Sequence, residues 1–179
     1  LLLYNGEIFN GHYLANKINY PIEELFASGD TPLLMSLLLK LGEEIVTEIE
    51  GMFSFVFINL EKMSGIAVRD HLGIKPLYYY AHQNYLIFSS QIKAIRDLKI
   101  SNNKICNESL LLFNLLGSIP DPFCIYENIN SVKPGSIVTF ENGEILGIRK
   151  YIEIDNNWKE NKFANNWSNQ DHYEHIKES

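Results

Sequence analysis

An Asn-Gly pair at positions 5 and 6, inside Tyr4-Asn5-Gly6-Glu7-Ile8-Phe9-Asn10, brings two hydrogen-bond donors to one point of the chain. These are the side-chain amide of Asn5 and the backbone N–H of Gly6, which no side chain shields. Donors paired in this way suit the oxyanion of a tetrahedral intermediate. The same dipeptide between apolar runs is also the strongest short signal for a hairpin, and on the pair alone a turn is the expectation. The expectation is that residues 1–179 hold no nucleophile at their start, where Leu1 stands. Of the two cysteines, Cys106 opens a helical pattern at Asn107-Glu108-Ser109-Leu110 and Cys124 follows Pro120-Asp121-Pro122-Phe123. Both read as small buried or loop thiols, and without a Cys-x-x-Cys pair or a disulfide framework they suit a reducing compartment. His172 and His175 are spaced to share a helix face, but with only Asp171, Glu174 and Glu178 nearby in an Asn-rich tail they read as a solvated segment rather than a metal site.

The whole chain sets limits on this chemistry. Its 179 residues, 46% hydrophobic and 21% charged, suffice for one sizeable core. A formal net charge of −7, from 15 basic and 22 acidic residues, opposes binding to nucleic acid or an anionic membrane. The longest apolar run, Leu33 to Leu39 with Leu41 beyond Lys40, falls well short of the ~20 residues of a membrane span and reads as a buried helix. Leu1-Leu2-Leu3 has none of the marks of a secretory signal. With no initiator Met, the expectation is a cytoplasmic chain that begins inside a longer one.

The elements that must position the chemistry follow from periodicity. Leu1 to Tyr4 reads as the end of a strand, and Asn10 as the cap of a short helix carrying Tyr13, Leu14 and Ile18. Asp30 or Thr31 is expected to cap a longer helix with Pro32 in its first turn, an apolar face through Leu33, Leu34, Leu37, Leu38 and Leu41, and Gly42 at its end. A short helix with Ile45, Val46 and Ile49 leads to Gly51. Strand period then takes over: Phe53, Phe55 and Phe57, a turn at 62–65, Ile66 to Val68, and a hairpin of Leu77 to Ala81 with Tyr85 to Phe88 tipped by His82-Gln83-Asn84. Helices are expected at Ser90 to Leu98 and Asn107 to Leu116, and strands at Ser136 to Phe140 and Glu144 to Tyr151. Helices with a mostly antiparallel strand series argue an α+β layered sandwich. The polar segment after Asp155, with Trp158, Phe163 and Trp167 widely spaced, reads as a linker or the lead-in to another domain.

Three more motifs accompany YNGEIFN: Gly51-Met52-Phe53-Ser54-Phe55, Arg69-Asp70-His71-Leu72-Gly73-Ile74-Lys75-Pro76-Leu77-Tyr78, and Phe88-Ser89-Ser90-Gln91-Ile92-Lys93-Ala94. In this order, with Ser28-Gly29-Asp30-Thr31 and Val132-Lys133-Pro134-Gly135, they resemble the class II glutamine amidotransferase domain of asparagine synthetase from Leu1 to about Tyr151. The resemblance implies the αββα four-layer sandwich of N-terminal-nucleophile hydrolases, incomplete here at its N-terminus. It implies an amidotransferase domain over residues 1–155 and a linker over 156–179. In that family an N-terminal cysteine attacks the side-chain amide of glutamine, ammonia leaves, and water hydrolyses the thioester.

Carried over by position, Asn5 and Gly6 would donate to the oxyanion, while Glu7, through its backbone, and Asp30, through its carboxylate, would hold the α-amino group of glutamine. Arg69, Asp70 and Lys75 match framework positions. The cysteine, the first strands and the arginine that grips the α-carboxylate precede this segment in the family. The synthetase domain of the same parent chain, which carries the expected ATP and magnesium, is also outside it, so no cofactor is expected in residues 1–179. Pro32 and Gln91 stand where the family usually has acidic residues. The implied function is the glutaminase half of an asparagine synthetase, with this chain alone inactive and a homodimer allowed. The alternatives are an inactive binding or regulatory module, or delivery of ammonia to a sugar or β-lactam precursor.

Overall fold

The computed structural model describes residues 1–82, 85–98 and 104–152. The chain opens with one strand and a group of helices: β1 (Leu2–Ile8), α1 (Gly11–Lys17), α2 (Ile22–Ser28), α3 (Asp30–Leu41) and a 3-10 helix over Gly42–Glu48. From Gly51 onward strands dominate: β2 (Gly51–Asn59), β3 (Ser64–Arg69), β4 (Tyr78–His82), β5 (Tyr85–Ser89), then α4 (Ile92–Asp97), α5 (Asn107–Leu116), β6 (Ile129–Ser131), β7 (Ser136–Glu141) and β8 (Glu144–Lys150). One sheet has the order β1-β2-β3-β7-β8 and the other β5-β4-β6, with antiparallel pairing throughout.

Helix α3 shows how sequence sets position. Gly29 and Gly42 flank it at φ 71° and 72°, a backbone region open to glycine, and Pro32 occupies its first turn. Leu33, Leu34, Leu37 and Leu38 are buried, each contributing about 1.5–3 kcal/mol, whereas Leu39 and Leu41 are exposed. That leucine stripe packs with Phe53, Phe55, Val68 and Ile137 on one face of the five-stranded sheet. The opposite face, through Val56, Ala67, Val138 and Phe140, meets Leu77, Val132, Tyr79 and Phe88 of the second sheet and its flanks. Beyond it Ile95 of α4 packs with Tyr80 and Ile129. The α+β expectation is met.

Several local expectations change. Asn5-Gly6 forms no turn: both residues lie inside β1, opposite Ser54 and Phe53 of β2, and the strand runs on to Ile8 instead of ending at Tyr4. Gly6, at φ 154°, keeps the strand going where a Cβ would collide with the Met52 carbonyl and come within 2.6 Å of the Phe53 Cα. Asn10 precedes α1 but does not cap it; its side chain donates to the Glu48 carbonyl at 2.8 Å and accepts from Glu50 N–H at 3.1 Å, tying the start of α1 to the start of β2. The helix expected from Ser90 begins at Ile92, and the hydroxyl at its start is that of Ser89, which accepts Gln91 N–H at 3.0 Å. Ser64 and Gly65 belong to β3 rather than to the turn. Helix α2 and strand β6 had no signal, one burying a single residue and the other only three residues long. Residues 83 and 84 and the tail from 153, with Trp158, Phe163, Trp167, His172 and His175, lie outside the described residues.

Candidate active site

The donors of β1 are set by the pleat of the strand. Leu1 and Phe9 bond to the β2 side, at Ile58 and Glu50, so odd-numbered amides face β2 and the even-numbered amides of Gly6 and Ile8 face the open edge. The Ile8 N–H is taken by Oδ2 of Asp30 at 2.8 Å. The hydroxyl of Tyr4 donates to the same oxygen at 3.4 Å. Burial, and next the nearby Asp30 carboxylate, push the Tyr4 phenol well above its ordinary range, so it stays a donor. Among the described residues Oδ1 of Asp30 makes no hydrogen bond. Asp30 therefore does not cap α3, whose start shows no side-chain cap; it reaches back across the sheet edge and pins α3 to β1.

Asn5 is exposed and lies on the other face of β1 from Tyr4. It lines a cavity of about 250 Å³ between the sheets, with Ser54, Phe88, Ser89 and Ser90 among the other walls. Glu7 is also exposed, and its carbonyl lies against Gly51 on the β2 side. The structure thus gathers Gly6 and Asp30 along one strand edge and turns Asn5 into the neighbouring cavity. Tyr4, which motif reading did not single out, joins this edge through its bond to Asp30; its place two residues before Gly6 on the same face of a strand was the available signal.

Behind this edge lies a buried charged framework. Asp70 is 1% exposed, and its carboxylate accepts four backbone amides: Phe53 at 3.3 Å, Leu72 at 3.1 Å, Ile74 at 3.0 Å and Lys75 at 2.9 Å. Arg69 donates to the carbonyls of Gly73, Lys75 and Val132, to Ser131 Oγ and to Asp121. Together they fold the loop after β3 and fasten it to the second sheet and, through Phe53, to the residue opposite Gly6. The Arg-Asp motif is structural here, while Leu72 and Ile74 on the same loop are exposed. Neither cysteine lines the Asn5 cavity: Cys124 is buried, its thiol pushed up by that burial, and Cys106 precedes α5 with Sγ 3.3 Å from Glu108. Among the described residues no group of His, Cys, Asp and Glu is arranged to hold a metal ion, and no helix is long and apolar enough to cross a membrane.

Comparison with known proteins places the chain in a family. A family model described as a glutamine amidotransferase domain matches residues 1–152. "Putative asparagine synthetase (glutamine-hydrolyzing) 2" of Methanocaldococcus jannaschii is 37% identical over 153 residues, 84% of this chain and 29% of that protein. Asparagine synthetase (glutamine-hydrolyzing) 1 of Bacillus subtilis is 29% identical over 156 residues, 86% of this chain and 24% of that protein. The chain thus spans less than a third of the length of these relatives. A glutamine phosphoribosylpyrophosphate amidotransferase structure from B. subtilis, with ADP and GMP, superposes over 84% of this chain and 29% of its own at TM-score 0.54 and 17% identity, which shows a shared fold. With the edge donors of β1, the Asp30 carboxylate and these matches together, the chain belongs to the class II glutamine amidotransferase family and is an asparagine synthetase-like amidotransferase domain.

Proposed function

We propose that this chain is the glutaminase part of an asparagine synthetase-like enzyme, releasing ammonia from glutamine for the ATP-dependent amidation of aspartate. The observation that carries the reading is the spare oxygen of Asp30, whose partner oxygen is held by the Ile8 N–H on the strand edge that also carries the Gly6 amide. An ammonium group is the natural partner for a carboxylate held this way. Gly6 N–H and the Asn5 amide donate to the oxyanion, and Asp30, with Glu7 beside it on β1, holds the α-amino group of the substrate. The nucleophile, the strands that complete the αββα sandwich and the grip on the α-carboxylate come from a segment ahead of Leu1. ATP and magnesium belong to a synthetase domain that follows a linker starting near residue 156. The family match, which ends at residue 152, supports that boundary.

The test is glutamine hydrolysis by two polypeptides, residues 1–179 alone and the same chain preceded by the cysteine-bearing segment. Ammonia is expected from the second only, because no thiol in this chain lines the cavity at Asn5. Release by the shorter chain that Cys106→Ala or Cys124→Ala abolishes would overturn this reading. Absence of hydrolysis by the longer one would favour a binding module.

A further inference from the structure

A cavity of about 380 Å³ lies on the far side of the second sheet from α4, between β8 and the β4–β6 pair, and takes no part in the glutamine site. Its walls include Lys133, Lys150 and Arg149 and no acidic residue, in a chain whose acidic residues outnumber its basic ones 22 to 15. Arg149 pairs opposite Ile137, which packs on the helix side of the five-stranded sheet, and its guanidinium is spent on Glu43 at 3.0 Å. Lys150 pairs opposite Ser136, one residue out of step, and so shares the face that looks onto the second sheet. Lys133 and Lys150 are exposed, and among the described residues neither meets a carboxylate.

The cavity floor is polar and apolar in separate parts. Ser136, 1% exposed, has only a 3.4 Å contact with the Pro134 carbonyl, leaving its hydroxyl able to turn toward a better acceptor. Tyr79, Val132 and Ile148 supply the apolar wall. The nearest carboxylate in sequence, Asp121 beside Pro122, is engaged by Arg69 at 3.2 Å. Two unpaired ammonium groups, a hydroxyl donor and an apolar wall in a space larger than an inorganic anion fit an organic ligand with an anionic head. A phosphomonoester dianion matches the charge of two ammonium groups and offers each of them an oxygen.

We propose that this cavity binds a phosphomonoester, its phosphate between Lys133 and Lys150 and its organic part against Tyr79, Val132 and Ile148. The probes are inorganic phosphate and phenyl phosphate, titrated by calorimetry into residues 1–179 at fixed ionic strength. Phenyl phosphate should bind at least about threefold more tightly, since its ring buries apolar surface that phosphate lacks. The double variant Lys133→Gln, Lys150→Gln should weaken both by about tenfold or more, the scale of lost charge-assisted bonds. A control, Lys62→Gln with Lys93→Gln, removes two cations elsewhere and should leave both unchanged. Equal binding by the cavity and control variants would overturn the site, and equal affinity for the two probes would overturn the organic subsite. All four positions lie at the surface, and far-UV circular dichroism checks that each variant is folded.

Discussion

Asp30 accepts the backbone N–H of Ile8 at 2.8 Å across a sheet edge, so one carboxylate locks α3 to β1 with a single oxygen and, in the proposed function, offers the other to glutamine. The two duties separate by substitution. Asp30→Asn retains an acceptor for Ile8 but loses the charge, and in the complete enzyme it should raise the glutamine KM strongly with little change in melting temperature. Asp30→Ala loses both and should cost about 1.5–3 kcal/mol of stability as well, the range for hydrogen bonds to charged groups. A normal KM for Asp30→Asn would assign this residue to structure alone.

In the proposed function Asn5→Ala removes one oxyanion donor, a loss that typically costs about 10²–10³ in turnover. Asn5 is exposed and opposite Ser54, so folding should be unaffected. In the complete enzyme the glutamine-dependent rate should fall while synthesis from added ammonia survives. Equal loss of both rates would show that Asn5 supports the fold instead.

Arg69 carries a different prediction, about stability alone. It is 8% exposed and satisfies three carbonyls, a hydroxyl and Asp121. Arg69→Met should destabilise the chain by about 3–5 kcal/mol in urea unfolding, because it leaves buried acceptors and Asp121 unpaired. Arg69→Lys should recover little of this, since an ammonium cannot span the planar fork of contacts. Full recovery by lysine would mean that charge, not geometry, holds the loop.

Thiol labelling reads burial directly. Cys124 is 5% exposed and burial raises its thiol, so at pH 8 it has less thiolate than a free cysteine and poor access as well. Iodoacetamide should modify the partly exposed Cys106 at least about tenfold faster, and raising the pH should speed Cys124 only when the chain opens. Equal rates in the folded chain would contradict the packing of Cys124 against Tyr80 and Ile129.

How far the sequence revealed this structure depended on the reach of each signal. The α3 stripe was legible because its leucines and flanking glycines act within one helix. The turn expected at Asn5-Gly6 failed because the pairing that makes it a strand comes from Ser54 and Phe53, beyond three α-helices and a 3-10 helix. Asp30 was recognisable as a helix-start residue and, by resemblance, as a ligand holder. Its bond to Ile8, 22 residues away, was not. Arg69-Asp70 was visible as a charged pair at a strand end, but the amides and carbonyls it satisfies carry no side-chain signature.

Gly6 closes off one route of change to this protein. Any side chain there would drive β1 off β2 at Met52 and Phe53, so a substitution meant to tune the edge amide would dismantle the strand that presents it. For the proposed glutamine site, variation in how it treats glutamine falls to the neighbours Tyr4, Asn5 and Glu7 and to the helix that brings Asp30. The backbone at position 6 must be inherited unchanged or lost with the fold.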